Sequence, residues 1–233
     1  MKLGILKADN IDAEFVPQHG DFSEMFDNLI RMTSDDFELV TYDICQKQYP
    51  DDIDEVDAYL LTGSRAGVYD DLDWFPDLAD FIKALHAAQK KLIGVCFGHQ
   101  FIAHTLGGHA EKSSKGWGVG AYSVEVQSNN DIANDGVESF TIISCHQDQV
   151  IQPATGAKVI AGNDFCPNAV CVLGNHILTF QGHPEFTKGF SKAFIEDERH
   201  IYGDEKSDHA IASLDQPLDR QLISSWMVDF LEA

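Results

Sequence analysis

The sequence has little positive charge: 16 lysines and arginines stand against 38 aspartates and glutamates, a formal net charge of −22. Such a surface repels nucleic acid and anionic membrane, so neither is expected as a partner. The excess of acid reads as a solubility feature or a salty habitat, and nothing about a reaction follows from it. Long hydrophobic runs are also missing, and no stretch approaches the length that spans a bilayer. The start, "MKLGILKADN", has a short apolar run broken by Lys7 and Asp9, with neither a signal h-region nor a cleavage pattern. A soluble, cytoplasmic protein is expected. Cysteines are few: Cys45, Cys96, Cys145, Cys166 and Cys171 are odd in number and widely spaced, which argues for reduced thiols rather than a disulfide framework. No metal is expected, because Cys166 and Cys171 lack a second pair and His99, His104 and His109 fall off one helix face. Neither a G-x-x-x-x-G-K-[ST] nor a G-x-G-x-x-G stretch occurs, so no nucleotide cradle and no cofactor are expected.

What is present is enough for one sizeable core. With 233 residues, 44% of them hydrophobic, residues 1–233 read as a single domain. The first half switches repeatedly between two periods. "KLGILKA" reads as a buried strand, and Phe22, Met25, Phe26, Leu29 and Ile30 then mark one helix face. "FELVTYD" and "AYLLTG" are further strands, Pro76 opens a helix running to about Gln89, and "KLIGVC" is a strand followed from Phe97 by a helix that stops at Gly107 and Gly108. Alternating β and α implies a parallel sheet covered on both faces. The second half is different: "GAYSVEVQ", "ESFTIISCH", "AKVIAGN", "NAVCVLG" and "HILTFQGH" are short strands between turn residues, closer to hairpins than to crossovers. Helices are expected near 188–200 and 218–231, with the polar "GDEKSDHAIASLDQP" between them as a surface loop. The fold class is therefore α/β, a single domain with a mostly parallel open sheet flanked by helices and a smaller antiparallel annex.

Within this frame Gly94-Val95-Cys96-Phe97-Gly98 places a thiol between small residues at the end of an apolar strand and the start of a helix, the setting of a nucleophile elbow. The thiol would stand at the carboxyl edge of the sheet, where open α/β folds bind ligands, and at a helix N-terminus, which favours thiolate. A nucleophile needs a base and the base an orienting group. "ILTFQGHPEF" offers His183 and Glu185 just beyond a strand, and if that strand lies parallel to the one ending at Cys96, His183 reaches the same edge. Read alone, His-Pro-Glu is better taken as a polar turn. Cys145-His146 is a poorer dyad, because neighbours on a strand point to opposite faces. A tetrahedral intermediate at Cys96 would need donors, and the amide of Phe97 is one.

Gly94-Val-Cys-Phe-Gly-His-Gln100 followed by Gly182-His183-Pro-Glu185 resembles the class I glutamine amidotransferases of triad type. The resemblance covers nearly the whole chain and implies Cys96 as nucleophile, His183 as general base and acid, and Glu185 as its partner. It also implies a second oxyanion donor at Gly63. Many members have Gly-Gly-Pro there, whereas this chain has Thr62-Gly63-Ser64, which resembles free-standing members related to the amidotransferase domain of GMP synthase. By the same resemblance the fold is flavodoxin-like, and Gln100 and the early residues of "SCHQDQV", His146 and Gln147, hold the substrate; "KGWGVG" resembles the family's Gly-Trp segment, with Trp117 read as a structural aromatic. Glutamine or a γ-glutamyl compound is then the substrate. Three readings follow: a glutaminase whose separate synthetase subunit receives the ammonia; a free-standing γ-glutamyl peptide or amide hydrolase; and a non-enzymatic glutamine-binding or interaction module.

Overall fold

The fold was obtained as a computed structural model, which describes residues 1–127, 132 and 136–233. In chain order the elements are β1 (Lys2–Lys7), α1 (Val16–His19), α2 (Phe22–Ile30), β2 (Glu38–Asp43), a 3-10 turn (Ile44–Gln46), β3 (Ala58–Leu61), α3 (Phe75–Ala87), β4 (Lys91–Val95) and α4 (Phe97–Thr105). Then come β5 (His109–Lys112), β6 (Gly118–Val126), β7 (Ser139–His146), β8 (Asp148–Gln152), β9 (Lys158–Gly162), β10 (Val170–Leu173) and β11 (Ile177–Phe180). Four helices close the chain: α5 (Lys188–Asp197), α6 (Arg199–Tyr202), α7 (Asp204–Ser213) and α8 (Arg220–Glu232).

Among the described residues nine strands form one sheet in the order β2-β1-β3-β4-β11-β10-β9-β6-β7, and β5 pairs with β8 in a separate two-stranded sheet. From β2 to β11 the ladders are parallel; from β11 to β7 they are antiparallel. The division follows composition. The runs AYLL of β3 and ILTF of β11 are buried throughout, as a sheet covered on both faces requires, while edge strand β2 is only half-buried. Successive residues of the parallel strands feed two cores. Leu60, Ile93, Val95, Leu178 and Phe180 pack on the face covered by α2 and α8; Tyr59, Leu61, Leu92 and Ile177 pack with residues of α3 and α4.

Local signals agree with these packings. Helix α2 starts at a capping box in which Asp21 accepts from the amide of Glu24 and Glu24 accepts from that of Asp21; all five residues of its apolar face are buried. Pro76 lies in the first turn of α3.

One expectation fails. The polar segment after Gly203 is a helix, α7, rather than a surface loop, and it packs on β6. Its contact face is built from Ser207, Ala210 and Ser213, small residues that carry no hydrophobic period. The approach is close because Gly120 of β6 has no side chain: a Cβ there would lie 2.9 Å from the Cα of Ala210 and 2.4 Å from the Oγ of Ser213. The Ser213 hydroxyl accepts from the amide of Ala121 at 2.8 Å, tying helix to strand.

On the first core face Trp226 of α8 is 2% exposed and meets Phe140 of β7 edge to face, ring centroids 5.2 Å apart. Trp226→Ala is expected to cost about 3–5 kcal/mol of stability, as large aromatic truncations in a core do. Urea denaturation checks this; a loss below about 1 kcal/mol would contradict the packing described.

Candidate active site

The register of the parallel strands brings three chain segments to one edge. Leu61 pairs with Gly94, and Val95 with Phe180, so β3, β4 and β11 end level with one another. The residues that follow are Gly63, Cys96 and His183. Cys96 makes the turn from β4 to α4 with φ +53° and ψ −103°, a backbone conformation that costs an L-residue about 1–3 kcal/mol. Its amide donates to the Phe180 carbonyl at 2.8 Å, and the amide of Gly98 donates to the Thr62 carbonyl at 3.2 Å, so both neighbouring strands hold the turn.

The flanking glycines are steric requirements. A Cβ at Gly98 would sit 2.4 Å from the carbonyl oxygen of Leu61, and one at Gly94 would sit 2.8 Å from the carbonyl carbon of Gly98. A Cβ at Gly63 would lie 2.9 Å from His183 Cε1 and 3.6 Å from Cys96 Cβ, so these two side chains converge on the space that glycine leaves.

His183 is held on every side. Its amide donates to the Ile143 carbonyl of β7 at 2.8 Å, its ring stacks on Phe186 with centroids 4.1 Å apart and planes 5° apart, and Nδ1 donates to Glu185 Oε1 at 2.7 Å. That last bond leaves Nε2 as the nitrogen available for chemistry. Burial alone would lower the pKa of His183, but Glu185 and Cys96 more than offset it, and the group rises from its ordinary 6.5 to about 10. The site therefore favours an imidazolium.

Arg220 is a member of the site that no sequence signal marks. From the start of α8 its Nε donates to the Pro184 carbonyl at 3.0 Å and an Nη donates to the Glu185 carbonyl at 3.3 Å, clamping the His-Pro-Glu turn from behind. Next to it, Asp219 and Thr141 of β7 exchange two bonds, at 2.7 and 3.0 Å. Burial lowers the Arg220 pKa, and Glu185 counteracts part of that. The role of this arginine arises only when α8 closes over β7.

Gln100, His146 and Gln147 all line the cleft above Cys96, which has a volume of about 480 Å³. The amide nitrogen of Gln100 is already engaged, donating to the Asp148 carbonyl at 2.8 Å and to Gln181 Oε1 at 3.2 Å, so its oxygen is what remains to accept from a ligand. His146 Nδ1 donates to the Asp148 carbonyl at 3.0 Å; burial pushes its pKa down to about 4, and it is neutral. Phe97, at 0% exposure, packs in the core while its amide sits at the first position of α4, where no intrahelical acceptor exists. Cys145 bonds the Tyr202 hydroxyl at 3.4 Å instead of pairing with His146. Cleft residues beyond those expected are Arg65, held by Asp9 and Asp12, together with Tyr69, Glu198 and Tyr202. Among the described residues no group of three or more His, Cys, Asp or Glu is arranged to hold a metal ion, and no helix is long and apolar enough to cross a membrane.

Residues 19–200 match the family model "Glutamine amidotransferase class-I". This chain belongs to that family. It is 30% identical over 185 residues to gamma-glutamyl peptidase 2 of Arabidopsis thaliana, covering 76% of the chain and 73% of that protein. It is 28% identical over 136 residues to a glutamine-hydrolyzing GMP synthase component of Sulfolobus acidocaldarius, covering 58% of the chain and 70% of that protein. Among solved structures, a glutamine amidotransferase of Thermotoga maritima superposes over 100% of this chain and 98% of its own, with TM-score 0.80 at 18% identity. The expected fold class is thereby established.

Gly98→Ala is expected to destabilise the protein by about 3 kcal/mol, because its methyl would meet backbone rather than a movable side chain. Urea denaturation of the variant tests this, and a neutral result would refute the steric account. The raised His183 pKa makes a second prediction. A group whose folded-state pKa lies above its unfolded value stabilises in full below the lower of the two, so this contribution is present up to about pH 6.5 and lost as pH climbs through about 10. Stability measured across that window should fall more in wild type than in His183→Gln; equal slopes would show that the histidine is not held as imidazolium.

Proposed function

We propose that the chain is a cysteine hydrolase of γ-glutamyl amide bonds. What carries the reading is the convergence of Cys96, on its positive-φ turn, with the His183–Glu185 pair at one sheet edge, on the floor of a cleft. In this reading Cys96 passes its thiol proton to His183 Nε2 as Sγ attacks the γ-carbonyl carbon, and the amides of Gly63 and Phe97 receive the developing oxyanion. Collapse of the tetrahedral intermediate breaks the C–N bond, and the His183 imidazolium gives its Nε2 proton to the departing nitrogen. A γ-glutamyl thioester remains. Water then adds to it, His183 takes the water's proton, and glutamate leaves as the thiol is restored. Glu185 keeps Nδ1 protonated throughout. Gln100, His146 and Gln147 are proposed to face the glutamyl part.

Two leaving groups fit this chemistry. Ammonia, from glutamine, is supported by the similarity to the GMP synthase component, and would call for a synthetase partner to use it. An amine or peptide is supported by the similarity to gamma-glutamyl peptidase 2 and by the cleft itself, whose volume of about 480 Å³ lies in the range that accommodates ligands well beyond a single amino acid. We favour the second. The cleft space beyond what a glutamine fills is otherwise unexplained.

Glutamate release by the purified protein from glutamine and from γ-glutamyl dipeptides and amides tests the reading. Cys96→Ala should lower kcat by about three orders of magnitude or more while the protein stays folded, His183→Ala should act alike, and Glu185→Gln should cost less, because it impairs orientation rather than attack. Near wild-type turnover in Cys96→Ala would sink the assignment. Peptide cleavage faster than glutamine cleavage would select the hydrolase; the reverse would select ammonia transfer.

A further inference from the structure

The cleft has a far wall that the chemistry above does not use. Phe186, Phe190, Phe194 and Glu198 recur every four residues, from the turn carrying His183 to the C-terminal end of α5, and all four line the cleft. The His183 ring stacks on Phe186; the Phe186 and Phe190 centroids are 4.6 Å apart, and those of Phe190 and Phe194 are 5.7 Å apart. An unbroken aromatic wall thus leads away from the residue that protonates the leaving group.

The wall ends on a charge without a counter-charge. Glu198 Oε2 is enclosed and has no hydrogen-bond partner, and among the described residues no ion pair engages the Glu198 carboxylate. The adjacent cation, Arg199, is already bound to Glu196 at 2.8 Å and to Asp208 at 2.7 Å. Tyr202, one turn on from Glu198, lines the same cleft, and Trp117 of the cleft packs edge to face on it with centroids 5.1 Å apart. An enclosed carboxylate next to two aromatic rings is a receptor for an ammonium group. Leaving such an oxygen unpaired costs free energy that a cationic ligand would recover.

Building on the γ-glutamyl hydrolase reading, we propose that Glu198 is a specificity residue that selects leaving groups carrying a second, positively charged nitrogen. The substrate class is then the γ-glutamyl amide of a diamine or of another amine with a distal ammonium. Position supports the leaving-group side: His183 delivers its proton there, and the aromatic stripe starts at His183. Phe190 and Glu198 are about 12 Å apart along a helix axis, so the recognised charge lies several atoms beyond the scissile nitrogen, out of reach of ammonia. The intervening alkyl chain would lie against the phenylalanines. An anionic tail would meet Glu198 with like charge.

The test compares kcat/KM for γ-glutamyl amides of diamines, from 1,4-diaminobutane to 1,8-diaminooctane, with the γ-glutamyl alkylamides of equal length, in wild type, Glu198→Gln and Glu198→Lys. In wild type the cationic member of the best pair should be preferred by about tenfold or more. Glu198→Gln should bring that ratio close to one, and Glu198→Lys should invert it. A ratio near one in wild type, or an equal ratio in wild type and Glu198→Gln, would overturn the assignment. The two readings fail separately: Cys96-dependent cleavage of the neutral amides with no charge preference removes only the role of Glu198, whereas no cleavage of any γ-glutamyl amide removes both.

Discussion

The level ending of β3, β4 and β11 is the constraint on which the site depends. Parallel pairing in a fixed register brings the residues after Leu61, Val95 and Phe180 to one edge, and three sequence-distant pieces of chemistry then meet without any loop having to reach. The Cys96 turn is secured by the same strands, through the Phe180 and Thr62 carbonyls. Strain at a residue with φ +53° persists only where its surroundings over-determine it, and here two strands and a helix do so. The glycines at 63, 94 and 98 belong to this arrangement, since each lies where a methyl group would strike a neighbouring element or the histidine itself.

The electrostatics of the site run against those of the molecule in an informative way. A surface with net charge −22 attracts cations in general, but His183 and Glu185 are almost wholly buried, and their interaction is set by contact rather than by the distant field. Burial disfavours a lone imidazolium, and it persists because Glu185 lies 2.7 Å away and Cys96 beside it. Arg220 contributes from outside by donating to the carbonyls of Pro184 and Glu185, which fixes the turn without placing a second donor on the carboxylate.

Much of this is legible in the residues, and the gaps have physical causes. The buried runs of β3, β4 and β11 and the amphipathic face of α2 announce themselves because large apolar side chains at a regular period do the packing. The Cys96 turn is legible for a different reason: glycines two residues to either side of a cysteine at a strand end mark a sharp turn where backbone crowds them. Helix α7 is invisible to such reasoning because its contact face is Ser207, Ala210 and Ser213, so that close backbone approach at Gly120 takes the place of hydrophobic area. Arg220 escapes any spacing rule, and the four-residue step from Phe194 to Glu198 carries no sign of a role by itself. One acts through backbone carbonyls of a turn 35 residues earlier, and the other gains meaning only from what the folded cleft leaves around it.

Helix α5 connects these two scales. It begins just after the His-Pro-Glu turn, with Thr187 capping the amide of Phe190, so whatever fixes that turn also fixes the direction in which the aromatic stripe runs. On the proposed reading, the same rigid element that follows the proton donor therefore also sets how far away a leaving group is read. Its outer end can change character without disturbing its inner end, because Phe186 and Phe190 are buried against the core while Glu198 is only partly covered. On the proposed reading, a substitution in the last turn of this one helix changes which leaving group is accepted and leaves the sheet edge that carries Cys96 untouched.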